Sequence, residues 1–221
     1  MSLLGSNSAV RLVMLGPPGA GKGTQAERFA RAHGIPRIST GDILRETVLA
    51  GSEMGRAARE VMDAGGLVGD DIMTGIVTER LSRPDVGAGF VLEGFPRTVP
   101  QAMALDGLID RTAPLVVVDI EVPEDVLVKR LQIRKICGTC GWTAPPGTTV
   151  CAKCGGSLIT RTDDHEVVVR QRLALYGRTT QPIVDYYESR NTFRSVDGDQ
   201  TEGSVAADLS AAVASVLGGT R

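Results

Sequence analysis

A glycine-rich loop near the start of the chain has the spacing of a phosphate-binding site. The segment from Gly16 to Lys22 reads GPPGAGK, a glycine, four residues and Gly-Lys, and the hydroxyl of Thr24 follows one position late, after Gly23. Glycines let successive backbone N–H groups curl around an anion, and the lysine reaches the outer phosphates. The alternative is a glycine turn that merely caps a helix. The apolar run before the loop and the helical pattern after it favour phosphate binding.

Four cysteines form a second chemical cluster. Cys137, Cys140, Cys151 and Cys154 are the only cysteines in the chain, and they form two Cys-x-x-Cys pairs. Four thiolates at this spacing are typical of a tetrahedral zinc site, which closes small hairpins without redox chemistry. A redox role is the alternative, but neither pair opens a helix after a strand, as thioredoxin-like motifs do. The cysteines therefore predict a structural zinc site with no open position for a substrate.

Short apolar runs that alternate with helical patterns must position these residues. Continuous apolar segments are typical of parallel strands buried on both faces. Their alternation with helices predicts an α/β fold whose parallel sheet has right-handed crossovers. The predicted strands are Val10–Leu15, Ile35–Ser39, Phe90–Glu93, Leu115–Glu121 and Phe193–Val196.

Capping residues predict where the helices begin. Thr98 with Gln101, and Asp163 with Glu166, have the spacing of a capping box. Other starts are marked by acidic caps or by proline in the first turn. The predicted helices are Lys22–His33, Asp42–Ala50, Glu53–Ala64, one from the caps Asp70 and Asp71 to Leu81, one after Thr98, one with Pro123 in its first turn, one from Asp163 toward Tyr187 with a kink at Pro182, and Ser204–Leu217.

The composition is that of a compact globular protein. Of its 221 residues 42% are hydrophobic, and 24 Lys and Arg against 26 Asp and Glu give a formal charge of −2. No cationic field therefore draws the chain to nucleic acid or anionic lipid. Apolar runs stay far below the roughly 20 residues of a membrane span. Residues Met1–Ala9 have the look of a disordered tail and not of a signal peptide, so we expect a cytoplasmic protein.

Three segments, in this order, resemble the adenylate kinase family of nucleoside monophosphate kinases. They are Gly16–Gln25, Ser39–Arg45 (STGDILR) and Gly94–Thr98 (GFPRT). The resemblance extends over nearly all of residues 10–217. It implies a P-loop parallel sheet core flanked by helices, formed by residues 10–132 and 165–221. It also implies a helical acceptor-binding segment at 39–68 and a small zinc-binding lid inserted at 133–164.

The resemblance also implies which residues bind the acceptor nucleotide. Arg45 and Arg97 would hold its phosphate, because a guanidinium matches a phosphate with two parallel hydrogen bonds. Gln101 would read the base through its amide, and threonine at position 40 favours AMP over UMP or CMP. The alternative makes Thr40 a helix cap and Gln101 only the capping-box partner of Thr98. The implied AMP-binding residues are Thr40, Gly41, Arg45, Gly66, Leu67, Val68, Gly94, Phe95, Pro96, Arg97, Gln101, Arg161 and Arg172.

Donor binding and catalysis are assigned by the same resemblance. Arg130 and Arg134 are four apart on a predicted helix face and would contact the donor, although a solvated arginine face is the alternative. Asp163 and Asp164 would cap the long helix and pair with arginines. The implied ATP-binding residues are Gly19, Ala20, Gly21, Lys22, Gly23, Thr24, Arg130 and Arg134, and the implied catalytic residues are Lys22, Arg97, Arg134, Arg161 and Arg172.

Glu93 departs from the family pattern, which has aspartate before Gly-Phe-Pro-Arg. It ends a strand beside the loop, where a carboxylate would orient Mg²⁺ through water. Asp119 also ends a strand, but we interpret it as structural. Trp142 either faces the donor base or covers the cysteine knuckle, and the sequence leaves both open.

The implied activity is reversible transfer of the terminal phosphoryl group of MgATP to AMP, giving two ADP. Mg²⁺ with ATP and a structural Zn²⁺ are the implied cofactors, and the protein is expected to act as a monomer. One alternative is a kinase for UMP or CMP. Another is a zinc-ribbon module on a nucleotide-dependent switch that grips nucleic acid or protein. The slight excess of acidic residues and an aromatic content of 4% argue against binding to nucleic acid.

Overall fold

The computed structural model describes residues 9–51, 53–109 and 113–219. Apart from Ala9, the predicted tail Met1–Ala9 therefore lies outside the described residues. No helix among the described residues is both long enough and apolar enough to cross a lipid bilayer.

Five parallel strands form the central sheet, which confirms the α/β prediction. The order across the sheet is β2-β3-β1-β4-β8, so β1 lies at the centre between β3 and β4. Its carboxyl end pairs Met14 with Glu93 and Leu15 with Asp119. The glycine loop thus leaves the sheet between two strands that each end in a carboxylate. The strands are β1 Val10–Leu15, β2 Arg37–Ser39, β3 Gly89–Glu93, β4 Leu115–Glu121 and β8 Phe193–Asp197.

Helices cover both faces of this sheet and bury two apolar layers. One layer packs the sheet against the first and last helices through residues such as Phe29 and Leu209. The other contains Phe95, Leu105 and Tyr187 and lies on the opposite face. The helices are α1 Lys22–His33, α2 Thr40–Leu49, α3 Glu53–Asp63, α4 Asp70–Leu81, α5 Val99–Leu108, α6 Glu124–Ile133, α7 Glu166–Thr179, α8 Gln181–Glu188 and α9 Glu202–Gly218.

Several helices begin one or two residues from the predicted start or have a different cap. Helix α2 begins two residues early, and its cap is Ser39, whose Oγ accepts a hydrogen bond from the N–H of Asp42. Helix α4 has Gly69 as its N-cap, without a side-chain hydrogen bond. Pro123 is the N-cap of α6 and precedes its first turn.

The predicted long helix after residue 163 is two helices. Its capping box does not form, because Asp163 lies in a short 3-10 turn and α7 begins at Glu166 without a side-chain cap. Thr180 separates α7 from α8, and Pro182 lies in the first turn of α8, so the chain breaks where a kink was predicted.

The cysteine segment forms a separate three-stranded antiparallel sheet. Strand β5 Lys135–Cys137 lies between β6 Thr143–Ala144 and β7 Leu158–Ile159. An isolated bridge pairs Val150 with Ser157 beyond this sheet. The segment's short strands and tight turns fit an insertion that interrupts the chain between α6 and α7.

Candidate active site

A cavity of about 1010 Å³ lies at the carboxyl ends of β1 and β3. Its wall combines the glycine loop, the starts of α2 and α5, the turn after α3 and one side of the cysteine segment. Ligands of open parallel sheets bind at this end of the strands. The cavity therefore lies where the sequence analysis placed the chemistry.

The glycine loop is shaped by its glycines. Gly19 has a φ of 90°, and a Cβ atom there would lie 3.0 Å from Leu131 Cγ, so a larger residue would collide with α6. Lys22 Nζ donates hydrogen bonds to the carbonyl oxygens of Gly16 and Pro17 at 2.6 and 2.8 Å. Burial lowers the pKa of Lys22 to about 8, although the charge of Glu93 opposes the shift. The loop holds this lysine at the cavity wall.

Glu93 is fixed by two donors at the end of β3. Its Oε1 accepts a hydrogen bond from Arg37 Nη2 at 3.0 Å and another from Ser39 Oγ. Arg37 also lies 2.8 Å from Asp42 Oδ2. Sequence reasoning missed Arg37, which is the residue that anchors the longer carboxylate on β3.

Three arginines and two aspartates form a cluster at the other wall. Arg134 makes two hydrogen bonds to Asp164, at 2.8 and 2.5 Å, and Arg161 makes two to Asp163, at 2.7 and 2.5 Å. Arg172 lies 3.1 Å from Asp163 Oδ2 and 3.3 Å from Asp164 Oδ1. The predicted pairing of both aspartates with arginines is therefore present.

Opposing influences act on the ionisation of this cluster. Burial raises the pKa of Asp163, but the hydrogen bond from Arg161 and the charges of Arg172, Arg161 and Arg134 outweigh it and lower the pKa to about 2. Burial also lowers the pKa of Arg172 to about 10. Asp163 and Arg172 therefore stay charged at neutral pH, and the aspartates hold the arginine side chains in place at the cavity.

Arg45 and Arg97, which the sequence predicts to hold the acceptor phosphate, line the cavity together with a tight glycine. Arg45 Nη2 donates to Asp42 Oδ1, and Arg97 Nε donates to the carbonyl of Gly94 at 2.8 Å. Burial lowers the pKa of both arginines. Gly94 has a φ of 83°, and a Cβ atom on it would lie 2.6 Å from Thr40 Oγ1, so this approach requires glycine. The hydroxyl of Thr40 is buried and has no hydrogen-bond partner in the described part of the chain.

Gln101 also lines the cavity and is 2% exposed. Thr98 Oγ1 accepts from the Gln101 N–H at 3.4 Å, which confirms one half of the predicted capping box. The other half differs, because Gln101 Oε1 accepts from the Arg97 N–H at 2.8 Å. Gln101 Nε2 donates to Asp70 Oδ1 at 2.7 Å.

Arg130 and Arg134, the arginines predicted to contact the donor, do not share a helix face. Arg130 lies on α6, where its Nη2 donates to the carbonyl of Gly198 at 2.9 Å. Arg134 has left the helix, with a ψ of 130°, and turns toward Asp164. Both line the cavity, and so does Trp142. Trp142 therefore belongs to the cavity wall.

The four cysteine sulfurs lie close enough to ligate one ion. They are all within 4.8 Å of one another, with Cys137 and Cys154 at 3.5 Å and Cys140 and Cys151 at 3.6 Å. A tetrahedron with metal–sulfur bonds of about 2.3 Å has edges of about 3.8 Å. Backbone N–H groups of Cys140 and Thr139 point at the Cys137 sulfur and lower the pKa of its thiol to about 6. The donor set therefore fits zinc.

The cysteine segment contacts the core at two points that sequence reasoning missed. Lys153 Nζ lies 2.6 Å from Glu27 Oε1 on α1, and Thr162 Oγ1 donates to Asp63 Oδ1 on α3 at 2.8 Å. Both pairs join residues distant in sequence, so only long-range geometry could reveal them.

Most of the predicted binding residues meet in the one cavity. Two do not line it: Ala20 and Phe95 are buried in the two apolar layers. Those that line it are Gly19, Gly21, Lys22, Gly23, Thr24, Thr40, Gly41, Arg45, Gly66, Leu67, Val68, Glu93, Gly94, Pro96, Arg97, Gln101, Arg130, Arg134, Arg161 and Arg172.

Cations and backbone N–H groups around a phosphate-sized loop suit the transfer of a phosphoryl group, whose charge must be positioned and neutralised. The fold and the site thus define a P-loop phosphotransferase. The family model "Adenylate kinase" matches residues 14–192. The chain is 47% identical over 197 residues to an adenylate kinase of Archaeoglobus fulgidus, which covers 86% of this chain and 91% of the relative.

Other relatives agree over longer stretches. The chain is 45% identical over 212 residues to an adenylate kinase of Desulforudis audaxviator, covering 92% of this chain and 99% of the relative. For an adenylate kinase of Methanocella arvoryzae the identity is 43% over 212 residues, covering 92% and 98%. The chain belongs to the adenylate kinase family. Its reaction converts ATP and AMP to two ADP.

Proposed function

We propose that the cavity binds ATP against the glycine loop and AMP against the wall formed by Arg45, Arg97 and Gln101. The observation that carries this proposal is the position of Lys22 and Arg97, which both line one cavity together with Arg134, Arg161 and Arg172. These cations would surround the phosphoryl group as it passes from the leaving oxygen of ATP to the attacking oxygen of AMP. The attacking phosphate oxygen of AMP is already anionic at neutral pH, so positioning and charge neutralisation suffice.

Mg²⁺ would be held beside Glu93. The carboxylate lies at the strand end next to the loop, and within the described residues both of its hydrogen bonds end on Oε1, which leaves Oε2 for water around an ion. Carboxylate and water oxygens are the ligands that Mg²⁺ prefers. When bound, Mg²⁺ neutralises phosphate charge. Arg37 and Ser39 fix where that carboxylate stands.

The cysteine segment is proposed to act as a zinc-pinned lid. The four thiolates would complete the coordination of the ion, which leaves no position for substrate and gives zinc a structural role. Arg134 and Arg161 lie at the two ends of the segment, so its movement would carry both arginines with it. Closure would exclude water, which otherwise competes with AMP as acceptor.

The protein is further proposed to act in the cytoplasm, as a monomer and without nucleic acid. The formal charge of −2 supports the last point. Light scattering during size-exclusion chromatography should give a mass near 23.3 kDa. A dimer mass would contradict the proposal.

The first experiment is ADP formation from MgATP with AMP, UMP, CMP or GMP, and with no acceptor. We expect selective turnover with AMP, and we expect Lys22→Ala to abolish transfer while leaving the circular dichroism spectrum unchanged. Selective turnover with UMP or CMP would refute the assignment of Thr40 and Gln101. Normal turnover of the Lys22 variant would refute the glycine-loop assignment.

A further inference from the structure

Asp70 stands behind Gln101 and does not line the cavity. It is the first residue of α4, but its carboxylate does not cap that helix. Instead Oδ1 accepts a hydrogen bond from Gln101 Nε2 at 2.7 Å, and Oδ2 accepts one from Thr98 Oγ1 at 2.8 Å. Thr98 precedes α5, so Asp70 ties the start of one helix to the start of the next.

These contacts leave the Gln101 amide one favourable orientation. Its Oε1 accepts from the Arg97 N–H, which can only donate, and its Nε2 donates to Oδ1 of the Asp70 carboxylate, which accepts. A half-turn of the amide would place Oε1 against the carboxylate and the NH₂ group against an N–H. Both contacts would be repulsive, and Gln101 is buried, where unpaired polar groups are costly.

We infer that Asp70 is a positioning residue that makes the acceptor site select a 6-amino purine over a 6-oxo purine. The inference rests on the proposed role of Gln101 as reader of the acceptor base. With one lone pair of Oε1 and one N–H of Nε2 already engaged, the amide still offers one acceptor and one donor side by side. That pair matches adenine, in which a ring nitrogen accepts and the neighbouring amino group donates.

A 6-oxo purine presents the reverse pattern. Its ring N–H donates and its oxo group accepts, so it would pair well only with the turned amide. The nucleotide cannot readily turn instead, because Arg45 and Arg97 would hold its phosphate. Asp70 therefore acts on specificity without touching the substrate.

The test compares AMP with inosine monophosphate, which carries an oxo group and a ring N–H where adenine carries an amino group and a bare nitrogen. In Asp70→Asn the new side chain can turn its own amide and offer Gln101 either an oxygen or an NH₂ group. We expect the AMP-over-IMP ratio of kcat/KM to fall at least about tenfold, the size of one lost bidentate discrimination. A purely structural fault would lower both rates and leave the ratio unchanged.

Asp71→Asn is the matched control. Asp71 is the exposed neighbour in the same helical turn, and the substitution removes the same charge. Its ratio should stay within about twofold of the parent's. An unchanged ratio in Asp70→Asn, or an equal fall in both variants, would overturn the inference.

Gln101→Ala separates this inference from the proposed function. If it leaves the AMP-over-IMP ratio unchanged, Gln101 does not read the base and both proposals fail at that step. If it lowers the ratio while Asp70→Asn does not, only the inference fails. Should Asp70→Asn not fold, NMR of the parent decides: a scalar coupling across the hydrogen bond from Gln101 Nε2 to the Asp70 carboxyl carbon is expected, and its absence would overturn the inference.

Discussion

Arg37 Nη2 lies 3.0 Å from Glu93 Oε1 and links the first residue of β2 to the last residue of the neighbouring strand β3. Burial opposes the charge of Arg37, but Glu93 and Asp42 outweigh it and raise the pKa of Arg37. The glutamate side chain is 14% exposed, so this ion pair is largely removed from water.

Arg37→Gln should destabilise the protein because it leaves the largely buried Glu93 carboxylate without its positively charged partner. We expect a loss of about 2 kcal/mol in the free energy of unfolding, measured by urea denaturation, because breaking a buried pair leaves an uncompensated charge. In the Glu93→Gln background the loss should shrink to the part that comes from the contact of Arg37 with Asp42. Arg83→Gln, which removes the exposed partner of Glu79, is the control and should change stability by less than about 0.5 kcal/mol. Strict additivity of the two substitutions would contradict the prediction.

Lys153→Gln should weaken closure of the cysteine segment over the cavity. The Lys153–Glu27 pair is half-exposed, so we expect its loss to cost up to about 1 kcal/mol and to raise the KM for ATP two- to fivefold, about the same as Glu27→Gln. Steady-state kinetics at low and high salt will measure the KM for ATP. The difference in KM between the variant and the parent should disappear at high salt, because salt screens the ion pair. Lys129→Gln removes an exposed pair within α6 and should leave the KM unchanged. Equal effects of Lys129→Gln and Lys153→Gln would refute the role of this contact.

Asp119→Asn should stabilise the protein at pH 8 but not at pH 4.5. Burial first, and then the charge of Glu121, raise the pKa of Asp119 to about 6, above the unfolded value, while Lys22 opposes them. Between pH 3.8, the ordinary pKa of the group, and about pH 6, the folded state keeps a proton that the unfolded chain has released. The free energy of unfolding therefore falls as the pH rises through this range. The ionised carboxylate therefore costs about 3 kcal/mol at pH 8.

Urea denaturation at both pH values will measure the effect, with Asp71→Asn as the exposed control. Asp119 Oδ1 is buried and without a hydrogen-bond partner in the described ranges, which is the structural source of this cost. A gain at pH 4.5 as large as that at pH 8 would show that charge is not the cause.

Cys151→Ser should lower the melting temperature more than it lowers activity at 25 °C. Loss of one of four thiolates would weaken zinc binding, and the binding energy of a structural metal is part of the folding energy of its segment. A chelator should lower the melting temperature of the parent. It should lower the melting temperature of the variant by much less, because the variant has already lost most of its zinc binding. An unchanged melting temperature in the variant would remove the structural role of the metal.

Patterns that depend on local chain geometry were predictable from the sequence. The glycine loop after β1, the alternating strands and the two cysteine pairs each carry their signal within a few residues. Side chains with several possible partners were not predictable. Asp70 has the position of a cap and Asp163 the spacing of a capping box, yet other side chains, Gln101 for one and Arg161 with Arg172 for the other, compete successfully with the local backbone.

Arg37 and Glu93 illustrate the same limit. Glutamate at position 93 departs from the family pattern, but nothing in its neighbourhood in the sequence indicates that an arginine 56 positions earlier meets it. Register between β2 and β3 brings Ser39 opposite Glu93, with Arg37 on the same strand, and register is a property of the assembled sheet.

The position of Lys153 between Cys151 and Cys154 has a consequence for how this segment can change in length. Cys151 and Cys154 flank Lys153 and fix the position of its backbone, so they determine whether its side chain reaches Glu27. We expect insertions in the hairpin between Cys140 and Cys151 to be tolerated, because they leave the spacing of Lys153 from Cys151 and Cys154 unchanged. An insertion of one residue beside Lys153 should instead uncouple the contact while sparing the other pair of cysteines.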